Sequence, residues 1–120
     1  MNSALKISLS LFFLISCTQR PEIVIETVDQ TIFKQLILQD LPLLDVRTPS
    51  EYASGHIDKA VNIDYNASDF EAQIKALDRE QPFLIYCAVG GRSAKAAARM
   101  QALGFKKIYE LQGGYRNWVD

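Results

Sequence analysis

The residues Cys87-Ala88-Val89-Gly90-Gly91-Arg92 have the types and spacing to do chemistry on a sulfur nucleophile. Before them runs "PFLIYC", and after them "RSAKAAARMQALG", so Cys87 falls at the carboxyl end of a predicted strand, just ahead of a predicted helix. Adjacent glycines let the backbone fold into a concave loop with several N–H groups turned inward. The first turn of the helix adds unpaired N–H groups and the positive end of its dipole. A thiolate at the foot of that loop gains from these groups and from the positive charge of Arg92. Such settings lower a cysteine below its ordinary value near 8.5, as an activated nucleophile requires. The plain alternative is a buried structural cysteine, because free Cys is among the most buried residue types. The glycines then merely make a tight turn, and Arg92 is a surface residue.

The elements that must hold this loop can be read from the pattern. "EIVIETV" alternates and is rich in β-branched residues, which marks a first strand. Asp29 caps a predicted helix in which Ile32, Phe33, Leu36 and Ile37 recur at helical spacing through Leu38. "LPLLDV" is a short continuous apolar run, the mark of a strand buried on both faces. A helix starts near Pro49, carries Glu51 in its first turn and stops at Gly55. "AVNI" is a short strand, and "SDFEAQIKAL" an amphipathic helix capped by Ser68 or Asp69, with Phe70, Ile74 and Leu77 on one face. After the central strand and the alanine-rich helix, Gly104 stops that helix and "KKIYEL" forms a last strand. "QGG" then turns the chain into a short helical "YRNWVD". Strands alternating with helices argue an α/β domain with a small, mainly parallel sheet covered by helices.

Composition bounds the partners. The 120 residues make at most one domain, and 48% apolar with 22% charged residues is ordinary for a chain with a core. Formal charge is -1 and the cations are scattered, so nucleic acid is not an expected partner. His56 is the only histidine, which with one usable cysteine is too few ligands for a zinc site, and no metal or cofactor is expected. A single domain of this size needs no second copy, so a monomer is expected.

The N-terminus is different in kind. Lys6 is followed by an apolar run from Ile7 to Ile15, then Ser16 and Cys17. As a helix those nine residues would rise only about 13 Å, less than half of the ~30 Å hydrocarbon core. Order and length fit a secretory signal peptide over residues 1–16. The junction Leu14-Ile15-Ser16-Cys17 resembles a bacterial lipobox, whose cysteine is lipidated and becomes the first mature residue. In that family Thr18, rather than Asp, favours sorting to an outer membrane where the organism has one. The expected organisation is a signal peptide, a tether over 17–22, and a domain over 23–120, exported to the periplasm and held to the membrane through Cys17. With Cys17 lipidated, Cys87 is an unpaired thiol in an oxidising compartment, and reactivity is one reason for such a residue.

Three stretches in register then resemble one family. "CAVGGRS" is similar to the active-site loop of rhodanese-like sulfurtransferases, "LLDVRTPSEYASGHIDKAVNI" (43–63) to their upstream signature, and "ELQGGYRNW" (110–118) to their C-terminal one. The likeness runs from about Ile25 to Val119. It implies a rhodanese-like fold, a five-stranded sheet flanked by helices on both faces. It also implies a reaction in which Cys87 attacks the outer sulfur of thiosulfate or a related donor, releases sulfite and holds a persulfide. The N–H groups of residues 88–92 would cradle that persulfide, and a thiol or cyanide acceptor would take the sulfur in a second step. Arg92 would neutralise the donor's anionic end and help hold the loop. Asp45 and Arg47 would support the loop by charge and hydrogen bonds, or form a structural ion pair. His56 is mostly structural in that family, and Glu51 reads as a helix-start carboxylate.

Cysteine phosphatases and arsenate reductases share the cysteine–loop–arginine logic, but with five intervening residues where this chain has four. The tighter loop suits one sulfur atom better than a tetrahedral oxyanion. A sulfur carrier that uses the same loop with little turnover is the rival of another class.

Overall fold

The computed structural model describes residues 3–14 and 22–120. Residues 3–14 form neither helix nor strand and leave their apolar side chains exposed. Cys17, expected to carry a lipid, and all but Glu22 of the expected tether lie outside the described residues. Among those described, no helix is long and apolar enough to cross a membrane.

Five parallel strands build one sheet: β1 (Ile25–Val28), β2 (Leu43–Asp45), β3 (Val61–Asn62), β4 (Phe83–Tyr86) and β5 (Ile108–Leu111), in the order β1-β5-β4-β2-β3. The central β4 is "FLIY", buried at every position, because helices cover both faces of a parallel sheet. On one face Phe70 and Ile74 of α3 (Phe70–Lys75) pack with Ala96, Ala97 and Met100 of α4 (Gly91–Ala102) against Ile85 and Ile108. On the other, Phe33 of α1 (Gln30–Ile37) packs with Leu84, Tyr86 and Leu111, flanked by Tyr52 of α2 (Pro49–Ser54). Each such large side chain, fully buried, contributes about 1.5–3 kcal/mol. The alanines of α4 keep its backbone close to the sheet.

Local signals set the helix ends. The Asp29 carboxylate accepts from the Ile32 N–H at 3.0 Å and starts α1. Thr48 and Glu51 form a reciprocal capping box at α2, with Pro49 in the first turn. Gly104, at φ +94, follows α4. Two expectations need correction. The first strand starts at Ile25 rather than Glu22, since pairing with β5 begins there. Asp69 occupies the N-cap of α3 but makes no capping bond; its carboxylate instead accepts from Gln73 Nε2 at 3.0 Å.

The strand order decides where a site can form. The chain leaves β2 toward the β3 edge and leaves β4 in the opposite direction, toward β5. The connections α2 and α4 pack on opposite faces, so the switch point, where open α/β sheets place their ligands, lies between the carboxyl ends of β2 and β4. Arg47 follows the first of these strands and Cys87 the second.

Candidate active site

Cys87 is the first residue after β4 and is 1% exposed, while Val89, at the tip of the loop, is 59% exposed. Its sulfur accepts the Gly90 N–H at 3.0 Å. Burial pushes the thiol up, but the Ser93 hydroxyl and the N–H groups of Ser93, Gly90 and Val89 outweigh it, and the net direction is down. The loop and the first turn of α4 therefore supply the donors, with Gly90 at φ +113 making the turn into the helix.

The C-terminal segment explains why those N–H groups face inward. The Cys87 carbonyl accepts from the Tyr115 N–H at 2.8 Å, and the Ala88 carbonyl from the Arg116 N–H at 3.0 Å. In a trans peptide the N–H points opposite to its carbonyl. Fixing the Ala88 carbonyl on the C-terminal turn thus aims the Val89 N–H the other way, at the sulfur. The approach is close: a Cβ on Gly114 would stand 2.6 Å from Cys87 O, Ala88 C and Ala88 O.

Arg92 directs its planar fork at Glu51, with Nη1 2.7 Å from Oε1 and Nη2 2.9 Å from Oε2. This bidentate pair joins the first turn of α4 to the first turn of α2. Hydrogen bonding from Arg92 draws the Glu51 carboxyl down to about 2, against the opposing effect of burial. The guanidinium charge is thereby largely matched within the protein, and Glu51, read from sequence as a helix-start residue, is both a cap and the anchor of the loop's arginine.

Asp45 and Arg47 form a second, deeper pair, Nη2 to Oδ2 at 2.6 Å, with side chains 0% and 6% exposed. Arg47 also donates to the Gly55 carbonyl at 2.6 Å, and the buried Tyr86 hydroxyl donates to Asp45 Oδ2 at 2.8 Å while accepting the Ile57 N–H. None of these bonds reaches residues 87–92. The connection is indirect: the Arg47 guanidinium lies 4.3 Å from the centre of the Tyr115 ring, and the Tyr115 backbone holds the Cys87 carbonyl. His56 stacks on Tyr52 with centroids 3.7 Å apart, and its Nδ1 pairs with the Tyr52 carbonyl.

Ser93, Glu110 and Gly114 belong to the site as well, and nothing in the loop's own spacing points to them. The Ser93 hydroxyl lies 2.7 Å from Glu110 Oε1 and 3.2 Å from the Gly90 carbonyl. A serine after the arginine and an acid inside an otherwise apolar strand were the available signals. Among the described residues no group of three or more His, Cys, Asp or Glu is placed to hold a metal.

Comparison with known proteins agrees with this fold. Residues 29–120 match the model of the rhodanese-like domain. The chain belongs to the rhodanese-like family. This rhodanese-like domain is 34% identical over 117 residues to thiosulfate sulfurtransferase 18 of Arabidopsis thaliana, covering 88% of this chain and 85% of that protein. It is similar in structure to a rhodanese-like domain protein from Staphylococcus aureus, with a TM-score of 0.70 and 27% identity over 79% of this chain and 92% of the other. The human single-domain sulfurtransferase TSTD1 gives a TM-score of 0.64 and 27% identity, covering 77% of this chain and 93% of that one.

Proposed function

We propose that this chain is a sulfurtransferase that carries a sulfane sulfur on Cys87. The supporting observation is the donor ring around a buried sulfur, which favours the thiolate in spite of burial. The Cys87 thiolate attacks the outer sulfur of thiosulfate, its bond to that sulfur forming as the S–SO₃ bond breaks. Sulfite leaves with the bonding electron pair, and the enzyme holds Cys87–S–S⁻. Cyanide or a thiolate acceptor then attacks the terminal sulfur and returns the Cys87 thiolate. The inward N–H groups of the loop meet the persulfide's terminal charge as they met the thiolate's, and the domain acts as a monomer.

A persulfide carrier with little turnover is the second reading. It is favoured by the pairing of Arg92 with Glu51, which leaves a loop of Ala88, Val89, Gly90 and Gly91 without a free cation for a dianionic donor.

We propose further that the domain works outside the cytoplasm, in the periplasm, anchored by a lipid on Cys17; the apolar run and its Leu14-Ile15-Ser16-Cys17 junction support this. Intact-mass spectrometry on protein recovered from membranes tests both proposals. The expected result is a lipid-bearing mature chain that gains one sulfur atom from thiosulfate and yields thiocyanate with cyanide. Cys87→Ser should abolish both the gain and the product. Undiminished thiocyanate from Cys87→Ser would overturn the reaction, a stable gain without thiocyanate would identify the carrier, and an unmodified Cys17 would overturn the anchor.

A further inference from the structure

Arg92 is the one cation of the six-residue loop, whose other side chains after Cys87 are small and uncharged. Both of its Nη atoms are engaged by Glu51, at 2.7 Å and 2.9 Å. The carboxylate is in turn held by its own helix start, since Glu51 Oε1 accepts from the Thr48 hydroxyl at 3.0 Å and the Thr48 N–H at 3.3 Å. Glu51 is therefore fixed from two sides, and Arg92 meets a carboxylate that is already in place. Two of the five N–H donors of the guanidinium are used, and its unit charge is matched.

The neighbouring charges do not restore a positive site. Arg47 is committed to Asp45 and to the Gly55 carbonyl. Asp64 is a further acid within electrostatic reach of Arg92, and so is the Cys87 sulfur. Lys95 and Arg116 are exposed, where water and salt screen them. A donor whose outer sulfur meets Cys87 carries its anionic group only a bond or two away, and so brings that charge among these groups. Inward N–H groups can solvate one negative charge there, but no unmatched cation of the loop offsets a second.

We propose that Glu51 is a specificity-determining residue: by matching the charge of Arg92 it sets the loop against a doubly charged sulfur donor and in favour of a singly charged one. This assignment rests on Cys87 being the sulfur acceptor. Thiosulfate is the doubly charged case, and an organic thiosulfonate is the singly charged one. The transfer has one form for both. The Cys87 thiolate bonds to the outer sulfur, the donor's S–S bond breaks, and its electron pair leaves with sulfite or with a sulfinate. The persulfide Cys87–S–S⁻ remains in either case, and only the charge carried past Arg92 and Glu51 differs.

Thiosulfate and methanethiosulfonate isolate that charge, because the second has a methyl group in place of one anionic oxygen of the first. The readout is the second-order rate constant with which the full chain gains one sulfur atom on Cys87 from each donor, followed by peptide mass. In Glu51→Gln the amide oxygen can still accept from Arg92 and Thr48, while the negative charge is gone. A unit charge roughly 10 Å from the donor, at an effective dielectric constant of about 40, changes the rate about fourfold per donor charge. Loading should thus gain about one factor of four more with thiosulfate than with methanethiosulfonate, and the gain should fade at about 1 M salt. A changed thiolate or a loosened loop acts on both donors alike and cancels in their ratio. The double variant Glu51→Gln with Arg92→Gln removes both charges and should return the ratio to within about twofold of wild type. An unchanged or lowered thiosulfate ratio in Glu51→Gln would overturn the assignment. So would a fall of about tenfold in the double variant, which would show Arg92 facing the donor as an unmatched cation. Should Glu51→Gln not fold, the double variant, which leaves neither charge unpaired, decides it. Sulfur gain from neither donor would overturn the sulfurtransferase reading and this one with it, whereas gain from both at an unchanged ratio overturns this one alone.

Discussion

Replacing Gly114 by alanine should damage the active-site loop without touching any residue in it. The new Cβ would lie 2.6 Å from three backbone atoms, Cys87 O, Ala88 C and Ala88 O, where 3.4 Å is the ordinary limit of contact. The loop and the C-terminal turn must therefore part by about 0.8 Å, the gap between those distances. Neither side yields cheaply, since the contact is backbone on backbone. A separation of that size takes the Tyr115 N–H to Cys87 O bond from 2.8 Å, and the Arg116 N–H to Ala88 O bond from 3.0 Å, past useful length. Two such bonds contribute about 2 kcal/mol, and alanine at φ +67 adds roughly 1–3 kcal/mol of backbone strain. The sum, about 3–5 kcal/mol, lowers the melting temperature by roughly 15–30 °C in a domain of this size. Gly113→Ala is the control. It has φ +77, but its Cβ meets only the movable side chain of Asn117, at 2.9 Å from Nδ2, so it should cost about 1–2 kcal/mol. Thermal unfolding by circular dichroism measures both variants, and thiocyanate formation measures the loop. An N–H cradle displaced by nearly an ångström should lower transfer on the order of a hundredfold in Gly114→Ala. Melting of Gly114→Ala within a few degrees of Gly113→Ala, with transfer intact, would refute the claim that this glycine seats the loop.

Two further predictions concern the ion pairs. Glu51 is held at about 2 against an ordinary 4.5. A lowered carboxyl stabilises the fold above its unfolded value and loses that contribution as pH falls from about 4.5 toward 2. With Glu51 about a third exposed, the contribution after solvent screening is about 1–2 kcal/mol. Urea midpoints of wild type and Glu51→Gln should differ at neutral pH and converge across that window; a constant difference would show that the pair does not stabilise through its charge. Asp45→Asn leaves the Arg47 guanidinium buried opposite a neutral group, and should cost about 3–5 kcal/mol by urea unfolding. A loss below about 1 kcal/mol would mean that the pair is hydrated rather than buried.

Much of this protein is written in local pattern. The spacing of Cys87, the two glycines and Arg92, the run "PFLIYC", the cap at Asp29 and the helix start at Pro49 act within a few residues of themselves. Propensity, capping and strand–helix alternation were therefore enough to place a cysteine at a strand end in an α/β domain. The three motif stretches carried the family. Other features depend on which strand lies beside which. Glu51 meets Arg92 across 41 residues and Glu110 meets Ser93 across 17, both contacts set by strand order, register and the face on which each helix crosses back. Gly114 reads as a turn residue, and only the packed structure shows that its missing side chain admits the carbonyls of Cys87 and Ala88. Asp45 and Arg47 show the same division: sequence left them between loop support and a structural pair, and the structure commits their hydrogen bonds to each other, Gly55 and Tyr86. By itself the sequence determined the strand-to-helix loop and the place of its cysteine, the candidate nucleophile, because neighbouring residues dictate both. The tertiary structure decided which distant carboxylates hold that loop's arginine and serine, because those distances exist only once the sheet has assembled.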